Sequence, residues 1–143
     1  MNVQSILGNK GNAVATVRRQ ATLAEVAAQL RDLGVGALVV SDDGEHIAGI
    51  VSERDVVRAL AAHGAGALGR DVASVMSAEV VTCGADDAVD TLMASMTERR
   101  IRHLPVVDGD RLAGIISIGD VVKARLASLE GEREALVAYI QGQ

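Results

Sequence analysis

A formal net charge of −5 over 143 residues withholds the positive footprint that broad nucleic-acid binding needs. Apolar residues make up 49%, enough for a core. With no Trp, no Phe and only Tyr139, that core rests on Val, Leu, Ile, Ala and Met, and base-stacking aromatic platforms are disfavoured. No apolar stretch approaches the ~18 residues of a membrane span. The first residues lack a secretion signal, and the lone Cys83 suits a reducing, cytoplasmic setting.

In chain order, a short strand precedes a helix on which Leu23, Val26, Ala27 and Leu30 share one face. Thr22, with Glu25 three residues on, predicts a capping box at its start, and Gly34 marks its end. Residues 37–40 and 47–51 read as strands joined by a turn at Asp43-Gly44. Ser52 opens a second helix with Val56, Val57 and Leu60 on its buried side, and residues 63–69 form a glycine-rich connector. The second half repeats the order, with a helix from about Asp87 to Glu98 that places Met93 and Met96 in the core. Strands follow at 104–107 and 112–116, and a helix begins after Ser117. Val122, Leu126, Leu129, Arg133, Leu136 and Ile140 then form a short heptad stripe, interrupted by Gly131 and Arg133, that serves association or folds back on its own module.

The halves are copies. At an offset of 66, Thr16 aligns with Thr82, Leu23 with Val89, Leu30 with Met96, Val35 with Ile101 and Val40 with Val106. The offset drops to 65 past the turn, so Gly49-Ile50-Val51-Ser52-Glu53-Arg54-Asp55 returns as Gly114-Ile115-Ile116-Ser117-Ile118-Gly119-Asp120. The expected organisation is repeat 1 over 3–62, a connector over 63–70, repeat 2 over 71–129 and a helical extension over 130–143. A ~60-residue unit buries only ~60% of its unfolded surface, so the copies are expected to pack together and leave a cleft between them.

Ser52-x-x-Asp55 and Ser117-x-x-Asp120 admit two readings. In one, Ser caps the helix and the acid at its third position completes the cap and faces the helix dipole. In the other, the motif binds a nucleoside phosphate. A short carboxylate accepts both ribose hydroxyls, while the Ser hydroxyl and free backbone N–H groups hold phosphate at a strand-to-helix junction. The choice of Asp in both copies, where Glu reaches back better, favours the second reading. Arg54 opposes the dipole at a helix start unless an anion is near. Arg99 and Arg100 follow a helix C-terminus, where cations are favourable. His46, His63 and His103 are scattered, so neither a metal site nor a catalytic constellation is expected.

Gly-hydrophobic-x-Ser-x-x-Asp closing a β-α-β-β-α repeat twice in tandem, with Arg102-His103-Leu104-Pro105-Val106-Val107-Asp108, resembles a cystathionine β-synthase (CBS) domain pair, or Bateman module, of the stand-alone bacterial type. The resemblance spans roughly Val3 to Leu129. It implies an α/β fold of two β-α-β-β-α repeats in pseudo-twofold symmetry, with small mixed sheets flanked by helices. It also implies a non-enzymatic regulatory module that pairs as a homodimer, binds AMP foremost, or ADP, ATP, NAD or S-adenosylmethionine, and is read by an effector protein. Carried over by residue, the first pocket takes Thr16, Val35, Gly36, Ala37, Ser52 and Asp55. The second takes Thr82, Ile101, Arg102, His103, Pro105, Ser117 and Asp120. Arg102 and His103, joined by Arg54 from across the cleft, are expected to make the second pocket the tighter one. The competing reading is a dimerising scaffold in which both motifs only cap helices.

Overall fold

A computed structural model describes residues 1–142; the last residue of the expected 130–143 extension lies outside them. Helix α1 (Val3–Lys10) leads into a first half of β1 (Thr16–Val17), α2 (Leu23–Leu33), β2 (Ala37–Val40), β3 (Gly49–Ser52) and α3 (Glu53–His63). The second half holds α4 (Val89–Arg99), β4 (His103–Asp108), β5 (Arg111–Ser117) and α5 (Ile118–Ile140). The architecture is the expected α/β pair of repeats, with small sheets flanked by helices.

Local signals set the element boundaries. Thr22 Oγ1 accepts the Glu25 N–H at 3.2 Å, and Glu25 Oε2 accepts the Thr22 N–H at 3.0 Å, closing the box that opens α2. Gly34 ends α2 at φ 64°, a left-handed position open to glycine at little steric cost. In the first sheet β1 runs parallel to β2, and β2 pairs antiparallel with β3. The second sheet has only β4 and β5, antiparallel. The strand expected around Thr82 shrinks to one parallel bridge, Cys83 to Val106. Cys83 exchanges bonds with Pro105 O and the Val107 N–H, and the next residue, Gly84, already turns away with its N–H on Asp87.

Three segments depart from the sequence reading. In α3, Val57 and Leu60, expected on its buried side, are exposed, and Ala59 is the buried residue. The glycine-rich connector is folded, since Gly64–Gly69 forms 3₁₀ turns that bury Ala67 completely in the first half's core. The expected C-terminal extension continues the second repeat's last helix without a break. α5 runs 23 residues and carries Gly131 in its interior.

The two cores exchange their lead-in segments. α1 precedes the first half in the chain, yet Val3, Ile6 and Leu7 are buried with Cys83, Leu92, Met96, Leu104, Ile116 and Val121 of the second. In return Val72, Val75 and Met76, which precede the second half, close the core of Leu23, Val26, Leu38 and Val51 in the first. α1, expected within repeat 1 over 3–62, thus packs in the second core, where its apolar face seals a sheet about a hundred residues away. The exchange explains the glycine that leads each repeated motif. A β-carbon at Gly49 would stand 2.5 Å from Met76 Sδ and 2.8 Å from the Ser77 carbonyl oxygen. At Gly114 it would stand 2.9 Å from Leu7 Cδ2.

A further tie joins the two hairpin turns. The Leu112 N–H donates to Glu45 O at 2.7 Å, and the His46 ring lies 2.6 Å from Asp43 and 3.5 Å from Asp110. The Asp43 hydrogen bond raises the His46 pKa above its ordinary value.

Candidate functional site

The site is built where β3 ends. Ser52 is extended at the N-cap of α3. Its N–H donates to Asp55 Oδ2 at 2.8 Å, and its hydroxyl accepts the Asp55 N–H at 3.4 Å. The second motif repeats this, with the Ser117 N–H on Asp120 Oδ2 at 2.9 Å. The short acid therefore does reach back, against the expectation that Asp disfavours capping. Capping engages only Oδ2 of each acid. Among the described residues, Oδ1 of Asp55 makes no hydrogen bond and remains free to accept one.

Asp55 opens onto a cavity of about 230 Å³ between the halves. The first half contributes Gly36 and Ala37 from the start of β2, Ile50 and Ser52 from β3, and Glu53, Arg54 and Arg58 from α3. Ser77 and residues 100–103 close the other side. Four arginines thus meet two carboxylates. Among the described residues none of Arg54, Arg58, Arg100 and Arg102 forms an ion pair. Unpaired guanidinium groups around a carboxylate suit a ligand with hydroxyls at one end and several phosphate charges at the other. A β-carbon at Gly36 would lie 3.0 Å from both His103 Cε1 and Glu53 Oε1, so glycine leaves room there for the imidazole. Burial first, then the Lys10 and Arg102 charges, hold His103 below its ordinary pKa and favour the neutral ring.

Arg100 is the one described non-glycine residue with positive φ, at φ 54° and ψ 39°. Its equivalent in the first half is Gly34, at φ 64° and ψ 35°. A side chain in that conformation costs roughly 1–2 kcal/mol relative to glycine. The guanidinium held by this strained backbone lines the cleft, which makes the site the place to look for its use.

Eight residues expected from sequence meet in this one cleft: Gly36, Ala37, Ser52, Arg54, Asp55, Ile101, Arg102 and His103. The others lie apart. Thr16 sits in β1, where its carbonyl accepts from Gln29. Val35 and Thr82 are exposed outside the cleft, and Pro105 is buried in β4. Ser117 and Asp120 cap α5 elsewhere. Arg102 and His103 adjoin both motifs: the Arg102 carbonyl bonds Ile118 and His103 pairs with Ser117 of the second, while the chain from α4 to β4 passes between the halves and lines the first motif's cleft. Arg58 and Glu53 escaped the sequence reading. The four-residue spacing of Arg54 and Arg58 on one helix face was the available signal.

Asp120 already carries an ion pair on Oδ2, while its Oδ1, like that of Asp55, makes no hydrogen bond among the described residues. Lys10 Nζ, from the last turn of α1, donates to Asp120 Oδ2 at 2.6 Å and to the Ile115 carbonyl at 3.0 Å. Burial opposes ionisation of Asp120, but the Lys10 ammonium and the Ser117 N–H together hold its pKa below the usual carboxylate value. Cys83 is buried, and burial pushes its thiol up to about 11. Among the described residues no three metal-ligating side chains gather, and no helix is long and apolar enough to cross a membrane.

The family model described as CBS domain matches residues 11–62 and 72–127. A mitochondrial CBS domain-containing protein of Arabidopsis thaliana is 37% identical over 125 residues, which are 85% of this chain and 61% of that protein, so the chain spans about three fifths of that relative. Among solved structures, a CBS-domain protein of Agrobacterium tumefaciens is 46% identical, covers 87% of this chain and 99% of its own, and superposes with a TM-score of 0.85. A CBS domain protein of Pyrobaculum aerophilum described as complexed with AMP is 28% identical, covers 84% and 89%, and superposes at 0.73.

Proposed function

Because this chain belongs to the CBS-domain family, we propose that it is a non-enzymatic regulatory module that binds an adenine nucleotide in the cleft at Asp55. The observation that carries the reading is that cleft's chemistry: a carboxylate with a free oxygen beside Ser52, faced by four arginines without acidic partners. Asp55 takes the ribose hydroxyls, and Arg54, Arg58, Arg100 and Arg102 take the phosphates. The AMP-bound relative supports the adenine nucleotide class, and the number of unpaired cations favours ATP or ADP over AMP. The tighter site is thus assigned to Asp55, the reverse of the ranking expected from sequence.

Calorimetric titration with ATP, ADP and AMP tests this. Asp55→Ala removes an ionic acceptor worth ~1.5–3 kcal/mol, so affinity falls about ten- to a hundredfold, whereas Asp120→Ala leaves this site intact. ATP at 100 times its Kd stabilises the fold by ~2.7 kcal/mol. With Tyr139 the only strong absorber near 280 nm, any copurified nucleotide is plain at 260 nm.

One observation favours the scaffold reading: both capping boxes are closed by the chain's own groups. A melting curve that no adenine nucleotide moves would establish it. In either reading the exposed Val122, Leu126, Leu129, Leu136, Val137 and Ile140 of α5 meet a second copy in a homodimer.

A further inference from the structure

The two motifs are copies, yet their acids face different cavities: Asp55 opens onto the arginine-lined cleft, whereas Asp120 lines a cavity of about 190 Å³ between α1 and α5 that Lys10 shares. At the offset of 65, Ile50, Ser52 and Asp55 correspond to Ile115, Ser117 and Asp120. In the first half these three positions line the cavity. In the second, Lys10 Nζ bonds the Ile115 carbonyl at 3.0 Å and the Asp120 carboxylate at 2.6 Å. We propose that Lys10 is a built-in occupant of the second motif, so that each chain offers one nucleotide cleft rather than two, and the second becomes available only when α1 lets go. This rests on the Asp55 cleft being the nucleotide site.

The lead-in exchange gives the difference its origin. At the repeat offset of 66, Lys10 corresponds to Met76, which lies over Gly49 as Leu7 lies over Gly114. Met76 has no charge to give Asp55; Lys10 has, and gives it to Asp120 Oδ2, the oxygen that also accepts the Ser117 N–H. The ammonium is held in place. Val3, Ile6 and Leu7 bury one face of α1 in the second core, and α1 ends right after Lys10, where the Gly11 N–H caps Leu7 O at 2.7 Å. The Lys10 and Asp120 side chains are 35% and 25% exposed, so the pair is partly shielded from water. The tether keeps the ammonium beside the carboxylate at no further cost in translational freedom, so a nucleotide must displace it to reach Asp120. α1 itself is eight residues, too short to persist without its packing. A partner that pulls on the N-terminus therefore switches the site.

Two measurements decide it. Lys10 and Lys123 are the only lysines in the chain, and Lys123 is exposed. Acetylation by an amine-reactive ester, followed by mass spectrometry without any nucleotide, should mark Lys10 several-fold more slowly than Lys123. Asp120→Asn should bring the two rates together. Equal rates in the unaltered protein overturn the latch. In calorimetric titration with ATP, the unaltered protein and Lys10→Arg should bind one equivalent per chain and Lys10→Met two, the second lost again in Lys10→Met with Asp120→Asn. Two equivalents in the unaltered protein, or one in a folded Lys10→Met, also overturn it. If no variant binds any adenine nucleotide, the nucleotide reading fails and the labelling rates alone judge the contact.

Discussion

Arg100→Gly is expected to make the protein more stable and less able to hold its ligand. Arg100 adopts φ 54° and ψ 39° at the end of α4, where the equivalent residue of the first half is Gly34. Relieving the left-handed side chain returns roughly 1–2 kcal/mol. The larger conformational freedom of glycine in the unfolded chain takes back roughly 0.4–1 kcal/mol. The net gain is about 0–1.6 kcal/mol, a rise of up to about 6 °C in Tm at roughly 2–4 °C per kcal/mol. The same change strips a guanidinium from the cleft. A charge-assisted contact worth ~1.5–3 kcal/mol means ten- to a hundredfold weaker ATP binding, with AMP less affected because its single phosphate engages fewer arginines. Arg100→Ala separates the two effects, since it loses the same charge and keeps the strained backbone. Calorimetry for affinity and thermal unfolding of ligand-free protein for stability read both. A fall in Tm for Arg100→Gly would refute the strain, and unchanged ATP affinity would refute the use of the side chain.

Gly49→Ala should cost ~1–3 kcal/mol through overpacking, and Gly114→Ala less, by urea unfolding. The first meets the Ser77 carbonyl, which is backbone, while the second meets only the tip of Leu7. His103 should make binding pH-dependent: burial and the Lys10 and Arg102 charges lower its pKa, against Glu53 and Asp120, which raise it. A folded pKa below the ordinary 6.5 means the ligand-free protein loses stability as pH falls through 6.5, because the unfolded chain takes the proton first. Phosphate in the cleft favours the imidazolium, so ATP affinity should strengthen over that same fall, and His103→Gln should flatten the profile. Leu126→Glu with Leu129→Glu should convert a dimer to monomers in analytical ultracentrifugation without altering the Lys10 labelling rate.

What the sequence made legible was local. The boxes at Thr22/Glu25, Ser52/Asp55 and Ser117/Asp120, the stop at Gly34 and the hairpin at Asp43-Gly44 each involve groups within a few residues, and their chemistry allows few alternatives. The repeat itself carried the fold and the family. What was not legible has a different cause. Residues near a motif in sequence need not serve that motif alone: the chain from α4 to β4 crosses between the halves, so Arg102 and His103 line the cleft of the other copy, while His103 also feels the charge of Asp120. The face formed by Val3, Ile6 and Leu7 shows that α1 packs but not on what, since periodicity carries no address. Nor does any residue pattern around Arg100 announce positive φ; only its alignment with Gly34 does.

Tandem repeats usually unfold piecemeal, since each touches only its neighbours and contributes its own increment of stability. The exchanged lead-in segments deny this chain that option. Lys10 reaches Ile115 across 105 residues, so the second core completes only after the whole first half has been reeled in, and closing so long a loop delays the reward until late in folding. Neither half made alone contains its own full core: 11–62 lacks Val72 and Met76, and 72–127 lacks Val3 and Leu7. The chain should therefore melt in a single transition. Cut within residues 64–69, it should yield two fragments that are unstructured apart and fold on mixing, because each carries the piece the other is missing.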